Sequence, residues 1–377
     1  MKNSGKQKTR ILKSGFLNTK LYRLLSIFLI KEKTFLFIIM GAFLLAALFH
    51  PYPKVAMWLG FTFAAYSATA NDSIQTIGTF LASNYFRKWY VLWGFIASIF
   101  IVTVTYSWLQ FSGDVSYERL SSDGLDKTPE SYEFLQIAAP IFLMILTRMR
   151  MPVSTTFLLL SIFSTKSSGI ISMLQKSLWG YIIAFGVAII VWTVLQKIIK
   201  NIMTGEAHPG WSVAQWISSG ALWAVWIMQD AANVAVYLPR NLDGWSFVVF
   251  CLIFISGLGV LFFLKGDKIQ NIVTEKTAIT DVRAATIIDF TYAIILFVFK
   301  IISKVPMSTT WVFIGLLAGR EVAINMITSA VDRRNRITIV KMIMKDILLA
   351  LAGLLVSIIL AISINPVLRK ELLAYFS

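Results

Sequence analysis

Charge is scarce in this 377-residue chain: Asp, Glu, Lys and Arg make up 14% of it, against 57% hydrophobic residues, and its mean hydropathy is +0.72. No water-soluble fold buries so large an apolar excess, so a bilayer has to serve as part of the solvent. Cysteine is almost missing. The single one, Cys251, sits in an apolar run, which excludes an internal disulfide framework and a thiolate metal cluster. Histidine is nearly as rare: His50 and His208 both lie outside the repeated motifs described below. With no nucleotide loop and no Cys–His or metal-ligand spacing, the expectation is a protein that is not an enzyme and needs no cofactor.

What is present is a rhythm of long apolar runs: Thr34–His50, Val55–Ala70, Trp89–Trp108, Trp179–Ile199, Val213–Met228, Trp245–Leu264, Ala284–Phe299 and Met342–Ile364. Runs of this length span hydrocarbon, so the expected class is an all-α, polytopic membrane protein. The formal net charge of +16 is spread unevenly, with nine Lys or Arg in residues 1–33 against one acid, Glu32. In a membrane protein this bias follows the positive-inside rule, placing the N-terminus in the cytoplasm of a bacterial-type inner membrane, with no nucleic-acid partner needed. Leu21–Ile30, apolar between basic residues, suits a helix resting on anionic membrane lipids. The same rule places the acidic Phe111–Tyr132, read as a solvated loop, outside, and the basic Arg320–Lys341 inside.

Two motifs occur twice. Asn71-Asp72-Ser73-Ile74-Gln75 follows one apolar run and Gln229-Asp230-Ala231-Ala232-Asn233 another; then come Pro152-Val153-Ser154-Thr155-Thr156 and Pro306-Met307-Ser308-Thr309-Thr310. Asp72 precedes Pro152 by 80 positions and Asp230 precedes Pro306 by 76. The chain therefore reads as a basic tail (1–33), an extra helix and loop (34–54) and two transmembrane repeats (55–200 and 201–377). Pro152–Ser164 is too short for a comfortable span, so Glu133–Ser164, and likewise Ala284–Gly319, are expected to be hairpins that enter and leave on one side. Each repeat then has a broken polar-cluster helix, a hairpin and three crossings. An odd number makes the two repeats inverted.

The chemistry follows from the residue types. An Asp within a span is expensive and marks function by default. Asn71 and Gln75 are four apart, as are Gln229 and Asn233, so each cluster sets amides beside the carboxylate of Asp72 or Asp230. Carboxylate and amide oxygens are hard ligands that suit Na+, and a carboxylate can carry H+ instead. The competing reading is an interhelical polar clamp. In the second motif Pro begins a helix and Ser or Thr caps it, leaving backbone N–H groups and the hydroxyls of Ser154, Thr155, Thr156, Ser308, Thr309 and Thr310 to surround an anion. Ordinary capped helices in a packed interface are the alternative. Arg148, Arg150 and Lys304, near the hairpin turns, either draw anions inward or sit at the water interface, and stay outside the core site.

Thr69-Ala70-Asn71-Asp72-Ser73-Ile74-Gln75-Thr76-Ile77-Gly78-Thr79 resembles the Gly-Ala-Asn-Asp-x-x-Asn-x-x-Gly-Thr signature of the PiT family of inorganic phosphate transporters. The two Pro-x-Ser-Thr-Thr motifs resemble that family's Pro-Val-Ser-Thr-Thr elements, so the likeness covers both repeats. It implies symport of inorganic phosphate with Na+ or H+ by a homodimer, with the Ser-Thr-Thr residues on the anion and both Asp clusters, Asp72 and Asp230 included, serving ion and substrate. The pattern is a divergent one. Gln75 replaces Asn, Thr69 replaces Gly, Gln229 replaces Asn, Val236-Tyr237 stands where Gly-Pro or Gly-Thr is usual, and Phe157 and Trp311 replace a common His. A permease for sulfate or another oxyanion and a non-transporting membrane sensor or scaffold are the other readings. Two carboxylates favour phosphate over sulfate, since only phosphate keeps a proton to donate near neutral pH.

Overall fold

The computed structural model describes residues 32–122, 124–149, 151, 153–194, 205–264, 281–327 and 336–376. The basic tail up to residue 31, Arg150, Pro152 and the basic stretch 328–335 lie outside the described residues. Every regular element among the described residues is helical: α1 (Glu32–Phe49), α2 (Pro53–Thr76), α3 (Gly78–Ser83), α4 (Trp89–Gln110), α5 (Phe134–Arg148), α6 (Ser167–Val194), α7 (Gly210–Ala235), α8 (Gly244–Phe263), α9 (Val282–Ile302), α10 (Thr309–Ile327), α11 (Arg336–Ile364) and α12 (Pro366–Phe376). A 3-10 turn, Arg119–Ser121, and a π turn, Thr156–Leu160, complete them. Six helices, α1, α4, α6, α8, α9 and α11, are long and apolar enough to cross a membrane. The protein is an all-α, polytopic integral membrane protein. Many large apolar side chains, such as Ile182, Ile190, Leu252 and Leu355, are exposed, as a lipid-facing surface requires.

The chain divides into two compact units, residues 1–49 and 50–377. In the first, α1 is an 18-residue apolar helix. In the second, the element order recurs: α2, α4, α5, the π turn and α6 are followed by α7, α8, α9, α10 and α11. Packing recurs with it. α2 lies on α5 as α7 lies on α9, and α6 packs on α10 as α11 packs on the π turn.

The two hairpins differ more than their motifs suggest. In the first, α5 has 15 residues and the helical return is one π turn. The second departs from the expected short hairpin: α9 has 21 residues, enough to cross, and α10 runs for 19 residues past Gly319 to Ile327. Small residues are the reason. Gly315 and Gly319 are four apart on α10, and a Cβ on Gly315 would fall on the Tyr181 backbone of α6, within 3.1 Å of its Cα; one on Gly319 would come within 2.9 Å of the Ala188 Cβ. Small residues at this spacing let two backbones approach closely over several turns. Ser161 and Thr165 stand at these places in the first copy, and no long helix forms there. Gly315→Leu is expected to separate α6 from α10 and to lower the melting temperature of the detergent-solubilised protein by several degrees, overpacking costing about 1–3 kcal/mol.

The stretch Phe111–Tyr132 is not the solvated loop that its acids suggest. Val115, Ser116, Tyr117, Arg119, Leu120 and Leu125 are buried. Asp114 builds the turn locally, its carboxylate accepting from Ser116 N (2.8 Å), Ser116 Oγ (2.6 Å) and Glu118 N (2.5 Å). Gly113 has a φ of 99° and exchanges backbone contacts with Leu242, whose N–H donates to its carbonyl at 2.9 Å. Arg240 ties the same loop down by donating to Leu125 O (3.0 Å) and Lys127 O (2.6 Å). Burial lowers its pKa to about 10, which leaves it charged at neutral pH.

Candidate ion and anion site

All twelve polar residues singled out in the two motif pairs are buried. α2 ends at Thr76 and α7 at Ala235, so Asn71, Asp72 and Gln75, and Gln229, Asp230 and Asn233, lie in the last turns of the two polar helices. Ser154 and Ser308 begin the two motif helices. Each Oγ accepts the N–H three residues on, Phe157 N at 3.2 Å and Trp311 N at 3.3 Å, which is N-capping. The first two N–H groups of each start have no intrahelical acceptor by geometry. With only a π turn behind it, the first start carries the smaller dipole; α10 supplies the larger. On the second start, Tyr292 from α9 donates to Thr309 O at 2.8 Å, and Ser177 from α6 accepts from Ser308 N at 2.8 Å.

The hydroxyls then close on the carboxylates in matched pairs. Thr155 Oγ1 donates to Asp72 Oδ2 at 3.1 Å, and Thr309 Oγ1 to Asp230 Oδ2 at 2.5 Å. Gln75 Nε2 donates to Asp72 Oδ1 (3.1 Å) and Thr310 Oγ1 (3.0 Å); Asn233 Nδ2 donates to Asp230 Oδ1 (2.9 Å) and Thr156 Oγ1 (3.3 Å). Thr156 Oγ1 reaches Met307 O at 3.0 Å, as Thr310 Oγ1 reaches Val153 O at 3.3 Å. Each copy thus bonds its own carboxylate with its first threonine and grips the other copy with its second. Asn233 also bonds Thr155 Oγ1 at 3.0 Å, so an unbroken chain runs from Asp72 through Thr155 and Asn233 to Asp230.

The remaining amides break the match. Asn71 donates to Asp72 Oδ1 (2.9 Å) and Val153 O (2.9 Å), whereas Gln229 turns to Leu296 O at 2.8 Å and leaves Asp230 alone. Three buried amide oxygens, Gln75 Oε1, Gln229 Oε1 and Asn233 Oδ1, receive no hydrogen bond among the described residues. Their nitrogens are spent on carboxylates or carbonyls, so turning the amides over would oppose oxygen to oxygen. A buried oxygen left without a donor costs about 1–3 kcal/mol, and a hard cation relieves that cost. Lys304 ion-pairs with Glu118 at 2.7 Å and is mostly exposed, in keeping with its exclusion from the core.

Three further charged groups are not revealed by the motifs. Asp289 on α9 is fully buried, its carboxylate held by Thr79 Oγ1 of α3 (2.6 Å) and Ser219 Oγ of α7 (2.5 Å). It is the lone acid of the run Ala284–Phe299, and that was a legible signal; Phe134–Arg148 has no acid to pair with it, so the repeat comparison passes over it. Thr79→Val removes one of its two donors and is expected to destabilise the protein by about 1–3 kcal/mol, read as a lowered melting temperature against the wild type. Arg119 and Lys176 approach the second motif from the buried loop and from α6. Nothing in local sequence marks them.

No family model matches the chain, and no curated protein matches its sequence. Among solved structures, one described as "The sodium-dependent phosphate transporter" is similar, with a TM-score of 0.49 and 15% identity over 85% of this chain and 99% of that one.

Proposed function

We propose that the protein is a secondary active symporter that moves inorganic phosphate together with Na+ across a bacterial-type inner membrane. In this reading it is built from two inverted copies, works as a homodimer and has its N-terminus in the cytoplasm. The observation that carries it is the meeting of two capped helix starts, with their hydroxyls, at two buried carboxylates beside three amide oxygens that lack donors.

Helix starts suit an oxyanion. Carboxylates repel one: two unit charges 5 Å apart cost roughly 3 kcal/mol at an effective dielectric of 20. Cations that travel with the anion offset this repulsion at Asp72 and Asp230, which is the basis of the coupling in this reading. Carboxylate, amide and hydroxyl oxygens at Asp72, Gln75, Gln229, Asp230 and Asn233 are ligands for Na+; a proton would neutralise a carboxylate but leave the three amide oxygens unpaired. Phosphate is favoured over sulfate because it can donate a hydrogen bond to a carboxylate.

Purified protein in liposomes tests the reading by uptake of labelled phosphate with and without an inward Na+ gradient, and by competition from unlabelled arsenate and sulfate. Accumulation that needs Na+, is blocked by arsenate and resists sulfate is expected. Uptake that follows a pH gradient and ignores Na+ would overturn the choice of ion, and blockage by sulfate the choice of anion.

A further inference from the structure

Next to the carboxylate core, two cations stand together without an acid between them. Arg119, in the 3-10 turn of the buried loop, is 1% exposed. Its Nη1 donates to Ser303 O (2.8 Å) and Val305 O (3.1 Å), and its Nε to Met228 O (3.3 Å). Lys176, half-buried on α6, donates from Nζ to the same two carbonyls, at 3.0 Å to Ser303 O and 2.5 Å to Val305 O. Both groups thus crowd one pair of carbonyls and repel each other. Neither has a carboxylate within ion-pair distance among the described residues. The acids nearby are Asp230, which is within electrostatic reach of Arg119, and Glu118, which is already paired with Lys304.

Carbonyls alone are weak compensation for two charges held out of water. Moreover, Arg119 Nη2 is buried and makes no hydrogen bond among the described residues. A structural clamp would use this donor; a ligand site leaves it open. The position is telling as well, since Met228 adjoins Gln229 and Asp230, and Val305 adjoins the Pro306 motif that opens α10. The guanidinium therefore spans the two parts of the second copy that make up its half of the core.

We propose that Arg119 and Lys176 form an oxyanion-binding station beside the Asp230 half of the core. It takes a doubly charged tetrahedral anion such as phosphate on the free Nη2 and on Nζ. The free Nη2 offers charge-assisted hydrogen bonds to such an anion, and an ammonium adds a point charge. The station rests on the symport reading and deepens it: the anion's charge is met by fixed cations on one side and by Na+ on the other.

The test is equilibrium titration of the full chain in nanodiscs, in Na+ buffer, with inorganic phosphate. Wild type is compared with Arg119→Met, Arg119→Lys and Lys176→Met, and Na+ affinity is measured separately without phosphate. Losing one charge-assisted hydrogen bond should weaken phosphate binding by at least roughly tenfold in Arg119→Met and Lys176→Met, with a smaller loss in Arg119→Lys. If Arg119→Met does not fold, Lys176→Met and the wild type still decide, the latter through the anomalous scattering of arsenate soaked into crystals, expected within hydrogen-bond distance of Arg119 Nη2. Phosphate affinity unchanged in the variants, Na+ affinity falling in parallel with it, or arsenate seated beyond the reach of Arg119 overturns the station while leaving the symport reading in place. Wild-type protein that binds no oxyanion overturns both.

Discussion

Asp72→Asn and Asp230→Asn are each expected to abolish gradient-driven phosphate accumulation, while at least one retains measurable phosphate binding. The carboxylates hold equivalent places, each within the last two turns of a polar helix and each met by the first threonine of its own copy. Asparagine keeps the size and can still accept from Thr155 or Thr309, so the threonine contacts survive. What is lost is the charge that, in the proposed symport, calls for a co-transported cation and binds it. Uptake in proteoliposomes under an imposed Na+ gradient checks the first part, and calorimetric phosphate binding checks the second. Full concentrative transport in the double variant would show the carboxylates to be structural.

The second large effect is expected at the unpaired amide oxygens. Gln75→Met and Asn233→Leu each remove one, along with the nitrogen that holds the carboxylate and the other copy's threonine. The Na+ concentration for half-maximal phosphate uptake should rise at least about tenfold in each, because a cation site loses a ligand and part of its scaffold. Ser154→Ala and Ser308→Ala should be milder. Their hydroxyls are committed as caps, and a lost cap costs about 1 kcal/mol. An Na+ dependence that is the same in all four variants would detach the amides from ion binding.

Much of the architecture was readable because it repeats. Both polar clusters and both Pro-x-Ser-Thr-Thr motifs could be paired by eye, and the structure brings all four together through the bonds of Thr155, Thr156, Thr309 and Thr310. What could not be read is what differs between copies or depends on distant packing. The length of α10 depends on Gly315 and Gly319 meeting the α6 backbone, a tertiary contact. The acids of Phe111–Tyr132 suggest a solvated loop, yet Asp114 spends its carboxylate on the local turn, and apolar side chains between the acids face inward. Arg119 was hidden for the same reason: an arginine in an acidic loop has no periodicity to betray that it points into the fold. Asp289 is legible as an acid in an apolar run, although no acid in the first copy pairs with it.

Coupling at one site requires reciprocity: if Na+ raises the affinity for phosphate by some factor, phosphate must raise the affinity for Na+ by the same factor. The most direct measurement is therefore a pair of calorimetric titrations on wild-type protein in nanodiscs, at constant ionic strength with choline replacing Na+. One follows phosphate with and without Na+, the other Na+ with and without phosphate. The account predicts that each ligand strengthens the other by an equal factor, at least about tenfold. Phosphate binding that is the same in choline and in Na+ would contradict it.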